Sequence, residues 1–398
     1  MSFGYGRYGF EHSASRDKEI VIRLIWSAIL RSIAMGAMLV FLPVYLYQMG
    51  GVNLVAGWLV ASRFLDFLLM RTIAKLIGRI GFKISVLAGE IMWAIALVML
   101  SGAEANMAWI WGAMVLVPFA AMGYWIPRHM LFMETSKKEF GQDEGKILIA
   151  TRWSGALGPI LGGIMVAKWG FTSVLWGSGI LMVGAAIPIL LIKSEKFAWE
   201  FNFPDYWKKF TGGWFRRDLL AFVGLGIEET LYDFFWPVYL LMILEDSYIG
   251  LGAYKTVVLL VTTIVIWLVG KKVDHGGIRK FMAIATIVMA GLWVVRGGLV
   301  QKWGLLGVDI LDGWVGVLVF LPFAVYTYRR AVTADKNLYL IERESAVRLG
   351  SMITGILIWC IHAVGFSWQG MVWVGVGGLA LMNFLPKIGP KQLEQIRQ

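Results

Sequence analysis

The chain of 398 residues is 58% hydrophobic and only 16% charged, whereas an average globular protein is about 45–50% apolar and about 25% charged. A soluble fold could not bury so much apolar surface, so this composition predicts a multi-pass membrane protein. The net charge of +11 comes from basic residues that lie mainly between the apolar runs. There they would face anionic lipid headgroups, and we expect no nucleic-acid partner.

Twelve continuous apolar runs predict an all-α fold with twelve transmembrane helices, because a helix needs about 20 apolar residues to cross a bilayer. Runs without polar alternation exclude a membrane β-barrel. The predicted spans, numbered 1 to 12 along the chain, cover approximately 20–48, 53–74, 83–102, 107–132, 146–167, 172–192, 218–242, 251–270, 281–301, 308–328, 347–366 and 369–386.

Lysine and arginine residues are concentrated in alternate connections between the spans. Only Lys168 and Lys302 lie in the connections of one side, whereas segments such as 208–217 are rich in basic residues on the other side. Positively charged residues resist translocation across the membrane. The asymmetry therefore predicts cytoplasmic termini in an integral protein of the bacterial inner membrane.

Similar segments recur in the same order in the two halves of the chain. FLPVYLY at 41–47 recurs as FWPVYLL at 235–241, and VPFA at 117–120 recurs as LPFA at 321–324. We therefore expect two pseudo-symmetric six-helix halves, with a site between them at the membrane midplane. The predicted units are a flexible cytoplasmic tail, a six-helix bundle, an amphipathic cytoplasmic linker, a second six-helix bundle and a cytoplasmic tail, at 1–19, 20–192, 193–217, 218–386 and 387–398.

The connection between spans 8 and 9 reads GKKVDHGGIRK at 270–280. This segment resembles the G-x-x-x-D-R-x-G-x-R-R/K element of the major facilitator superfamily (MFS), a family of twelve-helix secondary transporters. The resemblance implies a cytoplasmic gating motif, in which the acid accepts hydrogen bonds from helix ends and basic neighbours. The matching residues are Gly270, Asp274, Gly277, Arg279 and Lys280, and a partial copy between spans 2 and 3 keeps Arg79, Gly81 and Lys83.

Span 5 carries a second element, GALGPILGG at 155–163. It is similar to the G-x-x-x-G-P-x-x-G-G element that the MFS associates with proton-coupled antiporters, especially drug exporters. Small residues let two helices approach closely, and a proline bends its helix, so a helix-packing role is expected as well. The residues of this packing motif are Gly155, Gly158, Pro159, Gly162 and Gly163.

Several ionisable residues fall inside predicted spans, where each costs about 2.5–3.5 kcal/mol and needs a partner or a function. Span 7 carries Glu228, Glu229 and Asp233, of which Glu229 and Asp233 share a helix face at i, i+4. Span 2 carries Arg63 and Asp66 at i, i+3. We interpret these groups as candidates for proton coupling or substrate binding; the alternative is structural ion pairing.

The resemblance to the MFS also implies that spans 1, 4 and 7 line a central cavity. Arg31 in span 1 is then a further candidate for coupling or for contact with an anionic group. The remaining cavity-lining candidates are Arg128, Arg152, Trp125, Trp236 and Tyr239.

These features predict a secondary active transporter that works by alternating access and exports an amphipathic or cationic organic compound by proton antiport. Four alternatives remain open: an organic-anion or lysolipid transporter, a divalent-metal exporter, a polytopic lipid-modifying enzyme, and a non-transporting scaffold. The sequence carries no recognisable catalytic motif or metal-ligand set, so we expect no enzyme activity, no metal site and no cofactor. The expected partners are a small-molecule solute, protons and membrane lipids, with the protein as a monomer.

Overall fold

The computed structural model describes residues 5–135, 140–192, 201–212, 216–269, 278–332, 335–365 and 368–385. Within these ranges the chain is almost entirely helical and contains no β-strand, which confirms the predicted all-α class. The α-helices are α1 (Tyr5–Ile80), α2 (Phe82–Ser101), α3 (Ala108–Thr135), α4 (Phe140–Gly155), α5 (Leu157–Trp169), α6 (Phe171–Leu190), α7 (Phe203–Gly212), α8 (Arg217–Thr230), α9 (Trp236–Ile243), α10 (Tyr248–Val269), α11 (Ile278–Gly298), α12 (Lys302–Val332), α13 (Lys336–Ala363) and α14 (Met371–Met382).

Spans 1, 2, 5 and 7 differ from simple continuous helices. Spans 1 and 2 are the two arms of α1, which changes direction at Gly50 and Gly51; Gly51 has a φ of 63°, which glycine adopts without strain. Span 5 consists of α4 and α5, which are separated at Ala156. The break lies just before Pro159, which has no amide hydrogen for the preceding turn.

Span 7 consists of α8 and α9, joined by a π-helical segment at Leu231–Phe235. Pro237 follows directly at the start of α9 and cannot donate the backbone hydrogen bond of a regular helix. A π-helical turn inside an α-helix often marks a functional site. Here the turn includes Asp233, one of the carboxylates predicted from the sequence.

Seven helices of the described chain are long and apolar enough to cross a membrane. The first of them, Ile20–Ile80, comprises both arms of α1 and therefore two predicted spans. Three shorter apolar helices lie within 248–264, 282–298 and 368–382. The outer surfaces of these helices expose large apolar side chains, among them Ile180 and Ile287 at 67% exposure each. Such a surface suits lipid rather than water, as expected for an integral multi-pass membrane protein.

The first six spans pack mainly against one another, as do the last six, and we call these sets the N-terminal and C-terminal halves. The seam between the halves is formed by the second arm of α1 against α13, α5 against α10, and α1 against α9. Helix α7 lies in the linker between the halves, and we call its side of the molecule the linker side. Spans 1, 3, 5, 7, 9 and 11 begin on this side. Spans 8 and 11 correspond to α10 and α13 and begin earlier than predicted, at Tyr248 and Lys336.

Candidate functional site

The central candidate site lies on span 7, near the middle of the helix. Glu228 is buried, with 3% exposure. Glu229, near the end of the mostly buried helix α8, and Asp233, in the π-helical turn, are exposed. None of the three carboxyl groups has a hydrogen bond or an ion pair with any residue that the structure describes. Glu229 and Asp233 therefore present accessible carboxylates inside the helical bundle.

Basic groups from both halves surround these carboxylates. The charges of Arg343 and Arg152 act on Glu229, and those of Lys255 and Arg152 act on Asp233. The Lys255 side chain is buried and lies over the Tyr232 ring, with its Nζ 4.0 Å from the ring centroid. Since Arg152 belongs to span 5 and the carboxylates to span 7, the accessible space lies at the seam between the halves.

A second charged cluster lies within the C-terminal half and was not predicted. Arg296 forms ion pairs with Asp309 at 2.8 Å and with Asp312 at 2.9 Å. The Trp236 indole nitrogen donates to Asp309 at 2.7 Å. Both acids form an i, i+3 pair inside span 10, and Arg296 lies inside span 9, but the sequence did not indicate that they pair. The mutual pairing of these buried groups indicates a structural cluster.

The aromatic candidates differ in their exposure. Trp236 is 2% exposed and is held by Asp309, so it does not line accessible space. Tyr239 is 9% exposed and packs between Trp236 and Trp368. Trp125 is half-buried and stacks on His129. These aromatic rings contribute mainly to packing within and between the halves.

Arg31 forms a buried ion pair within the N-terminal half. Its guanidinium donates to Glu90 at 2.7 Å, and it lies 3.6 Å from the centroid of the Tyr124 ring. Arg128 lies 5.7 Å from the centroid of the Trp125 ring and borders a small cavity. Both arginines are thus placed among spans 1, 3 and 4 of the N-terminal half.

Asp66 connects the two halves at the seam. Its Oδ2 accepts hydrogen bonds from Arg63 and from Arg348 of span 11, both at 2.9 Å. Arg348 also lies 3.6 Å from Glu344, one helical turn earlier. Arg63 and Asp66 thus form the ion pair that was the alternative interpretation of these two residues. Asp66 has a further partner in the other half, Arg348, which the sequence did not indicate.

A neighbouring set of contacts continues this network toward the linker side. His129 of span 4 lies 2.8 Å from the Tyr328 hydroxyl of span 10 and 3.2 Å from Arg343 of span 11. Arg343 in turn donates to Glu344. These contacts link span 4 to spans 10 and 11, and the pair of Asp66 with Arg348 links span 2 to span 11.

The glycines of the packing motif lie against helix backbones on two sides. A methyl group added to Gly158 would meet the Ile33 carbonyl oxygen at 2.5 Å, and Gly155 faces Ser32 on the same helix. A methyl group added to Gly162 would meet the Phe41 ring, whereas Gly163 faces the Tyr248 backbone of span 8. Pro159 contacts span 8 through its carbonyl, which lies against Gly252. Span 5 is thus packed between span 1 of its own half and span 8 of the other.

Part of the gating motif lies outside the described residues, namely Gly270, Asp274 and Gly277. Arg279 and Lys280 fall in the first turn of α11. In the partial copy, Arg79 is exposed and Gly81 has a φ of 84° before α2. Lys83 donates to the carbonyls of Leu190 and Ile192 at 2.7 Å each, so it caps the end of span 6.

Comparison with known proteins agrees with this architecture. A model of the Major Facilitator Superfamily matches residues 24–334. The crystal structure of the human organic anion transporter MFSD10 (TETRAN) superposes with a TM-score of 0.69 and 13% sequence identity, covering 92% of this chain and 98% of that one. None of the curated protein sequences matches the chain significantly. The chain belongs to the Major Facilitator Superfamily and is a membrane transporter rather than an enzyme.

Proposed function

We propose that this transporter is a secondary active antiporter that exports a small organic solute in exchange for protons. The observation that carries this proposal is the pair of accessible carboxylates, Glu229 and Asp233, which have no direct partner in the described chain. A carboxylate in a low-dielectric site needs either a proton or a cation to neutralise it. If a proton and a cationic solute compete for the same carboxylates, the inward movement of one is coupled to the outward movement of the other.

The substrate that suits these groups is an amphipathic or cationic organic compound. Two carboxylates would hold its positive charge, while Tyr232 and its neighbours offer aromatic surface. An organic anion is the second candidate, because the positive charges of Arg152 and Arg343 lie close enough to act on Glu229. In addition, the similar human structure is named an organic anion transporter. A divalent metal has less support, since no group of three metal-ligating side chains occurs in the described residues.

In this proposal the two units at 20–192 and 218–386 rock against each other about the central site. The linker side faces the cytoplasm of a bacterial inner membrane, as the basic residues indicate. The gating residues Asp274 and Arg279 would act at that face. The protein would work as a monomer, because each copy of the chain contributes both halves of the site.

The experiment uses sealed proteoliposomes that contain a pH-sensitive dye and carry an imposed pH gradient. Organic cations, organic anions, lysolipids and divalent metals are added in turn. We expect an organic cation to dissipate the gradient in vesicles with wild-type protein and not in vesicles with Glu229→Gln. Dissipation only by organic anions would establish the second candidate, and no response to any solute would refute proton antiport for these classes.

A further inference from the structure

Helix α7 of the linker lies in the seam between the two halves. Its Tyr206 is 1% exposed, and the Tyr206 hydroxyl donates to Ser345 of span 11 at 2.9 Å. Phe210, one turn later, is buried and lies 6.3 Å from the Phe67 ring of span 2, measured between centroids. One short helix thus contacts the N-terminal half on one side and the C-terminal half on the other.

These contacts adjoin the ion pair that joins the halves. Phe67 directly follows Asp66 in span 2, and Ser345 precedes Arg348 by about one helical turn in span 11. Arg71, one turn beyond Phe67, lies 5.6 Å from the centroid of the Phe203 ring at the start of α7. Separation of spans 2 and 11 on the linker side would therefore break the contacts of α7 with at least one of them.

The remainder of α7 is mostly exposed and has the composition of a membrane-surface helix. Trp207 is 50% exposed, and Lys208 and Lys209 are exposed beside it. On the adjacent arm of α1, Arg71 and Lys75 are also exposed. Tryptophan prefers the headgroup region, and lysine near the surface is attracted to anionic lipid.

We propose that α7 binds anionic phospholipid headgroups through Lys208 and Lys209 and thereby holds the linker side of the transporter closed. The lipid keeps the helix at the membrane surface with Tyr206 and Phe210 inserted in the seam. Loss of the lipid weakens the contacts of Tyr206 and Phe210 in the seam and favours separation of spans 2 and 11. The lipid composition of the membrane then sets the fraction of transporters open on the linker side.

The test measures the distance between spin labels at Leu76 and Phe384 by pulsed electron resonance. Both residues are exposed at the linker-side ends of spans 2 and 12, one in each half. The exposed Cys360 is replaced by alanine, and the full chain is placed in nanodiscs of phosphatidylcholine alone or with phosphatidylglycerol. We expect phosphatidylglycerol to lower the ratio of long to short distances roughly tenfold.

Lys208→Gln with Lys209→Gln should abolish this dependence on phosphatidylglycerol. The matched control is Lys168→Gln with Lys302→Gln, which removes two exposed lysines from the other side of the molecule and should retain the dependence. Equal dependence in the α7 variant and the control would overturn the proposal. Closure by inorganic phosphate in phosphatidylcholine discs would also overturn it, since the site would then bind a soluble anion instead of the membrane.

Discussion

Asp66 in span 2 and Arg348 in span 11 are 282 residues apart in the chain and form a hydrogen-bonded ion pair of 2.9 Å. The pair crosses the seam between the halves at a buried position, where both side chains are nearly inaccessible. A rocking movement that opens the linker side must separate these two groups. Their pairing therefore favours the closed arrangement.

Arg348→Gln should increase opening on the linker side. Asp66 keeps Arg63 as a partner, so the variant should fold, but the bond across the seam is lost. We expect the ratio of open to closed molecules to rise about tenfold, measured with the same spin-label pair at Leu76 and Phe384. Arg348→Lys keeps the charge and should fall between wild type and Arg348→Gln; an unchanged ratio in Arg348→Gln would argue against a role of the pair in closure.

Glu229→Gln and Asp233→Asn should each abolish solute movement against a gradient while leaving the protein folded. Both side chains are accessible and lack direct partners in the described chain, so their loss breaks no bond that stabilises the fold. The measurement is uphill solute transport together with thermal unfolding in detergent. Glu245→Gln, which removes an exposed carboxylate between spans 7 and 8, is the control and should transport normally.

Arg296→Gln should destabilise the C-terminal half. Removal of one partner from a buried ionic cluster typically costs about 3–5 kcal/mol, and Asp309 and Asp312 would both lose their cation. We expect a clear drop in the thermal unfolding temperature. Addition of Asp309→Asn and Asp312→Asn should recover part of that drop, and further additive destabilisation would contradict the cluster as the cause.

Gly158→Ala should destabilise the packing of span 5 against span 1. The added methyl would stand 2.5 Å from the Ile33 carbonyl oxygen and 2.6 Å from the Ala37 nitrogen, both backbone atoms. The matched control is Gly291→Ala in span 9, where no atom lies within 4 Å of the added methyl. We expect a lower unfolding temperature for Gly158→Ala alone; equal temperatures for both variants would show that spans 1 and 5 can separate without cost.

The hydrogen bond of Tyr206 should be insensitive to pH in the physiological range. Burial raises the pKa of Tyr206 to about 12, above the ordinary value of about 10, so the folded state binds this proton more tightly. The stability that Tyr206 contributes is fully present below pH 10 and is lost as the pH rises toward 12. The unfolding-temperature difference between wild type and Tyr206→Phe should therefore stay constant from pH 6 to 9; a decline within that range would contradict the raised pKa.

The sequence was sufficient to predict the spans, because hydropathy and chain length determine which segments can cross a bilayer. It also provided Glu229 and Asp233 as candidates, since charged residues inside apolar runs are conspicuous. The pairing of Arg31 with Glu90 and of Asp66 with Arg348 was not predictable, because hydropathy contains no information about which helices adjoin. Asp309 and Asp312 were as conspicuous as the acids of span 7, and only their partner Arg296 distinguishes them as structural.

Coupling through Glu229 is measured by comparing wild type and Glu229→Gln in the same proteoliposomes, with proton flux and solute flux recorded together. Wild-type protein should move protons inward and an organic cation outward in a fixed ratio, and each flux should stop when the other ligand is removed. In Glu229→Gln both fluxes should be lost together. Coupled fluxes that persist in Glu229→Gln would contradict the assignment of the transport site to the span 7 carboxylates.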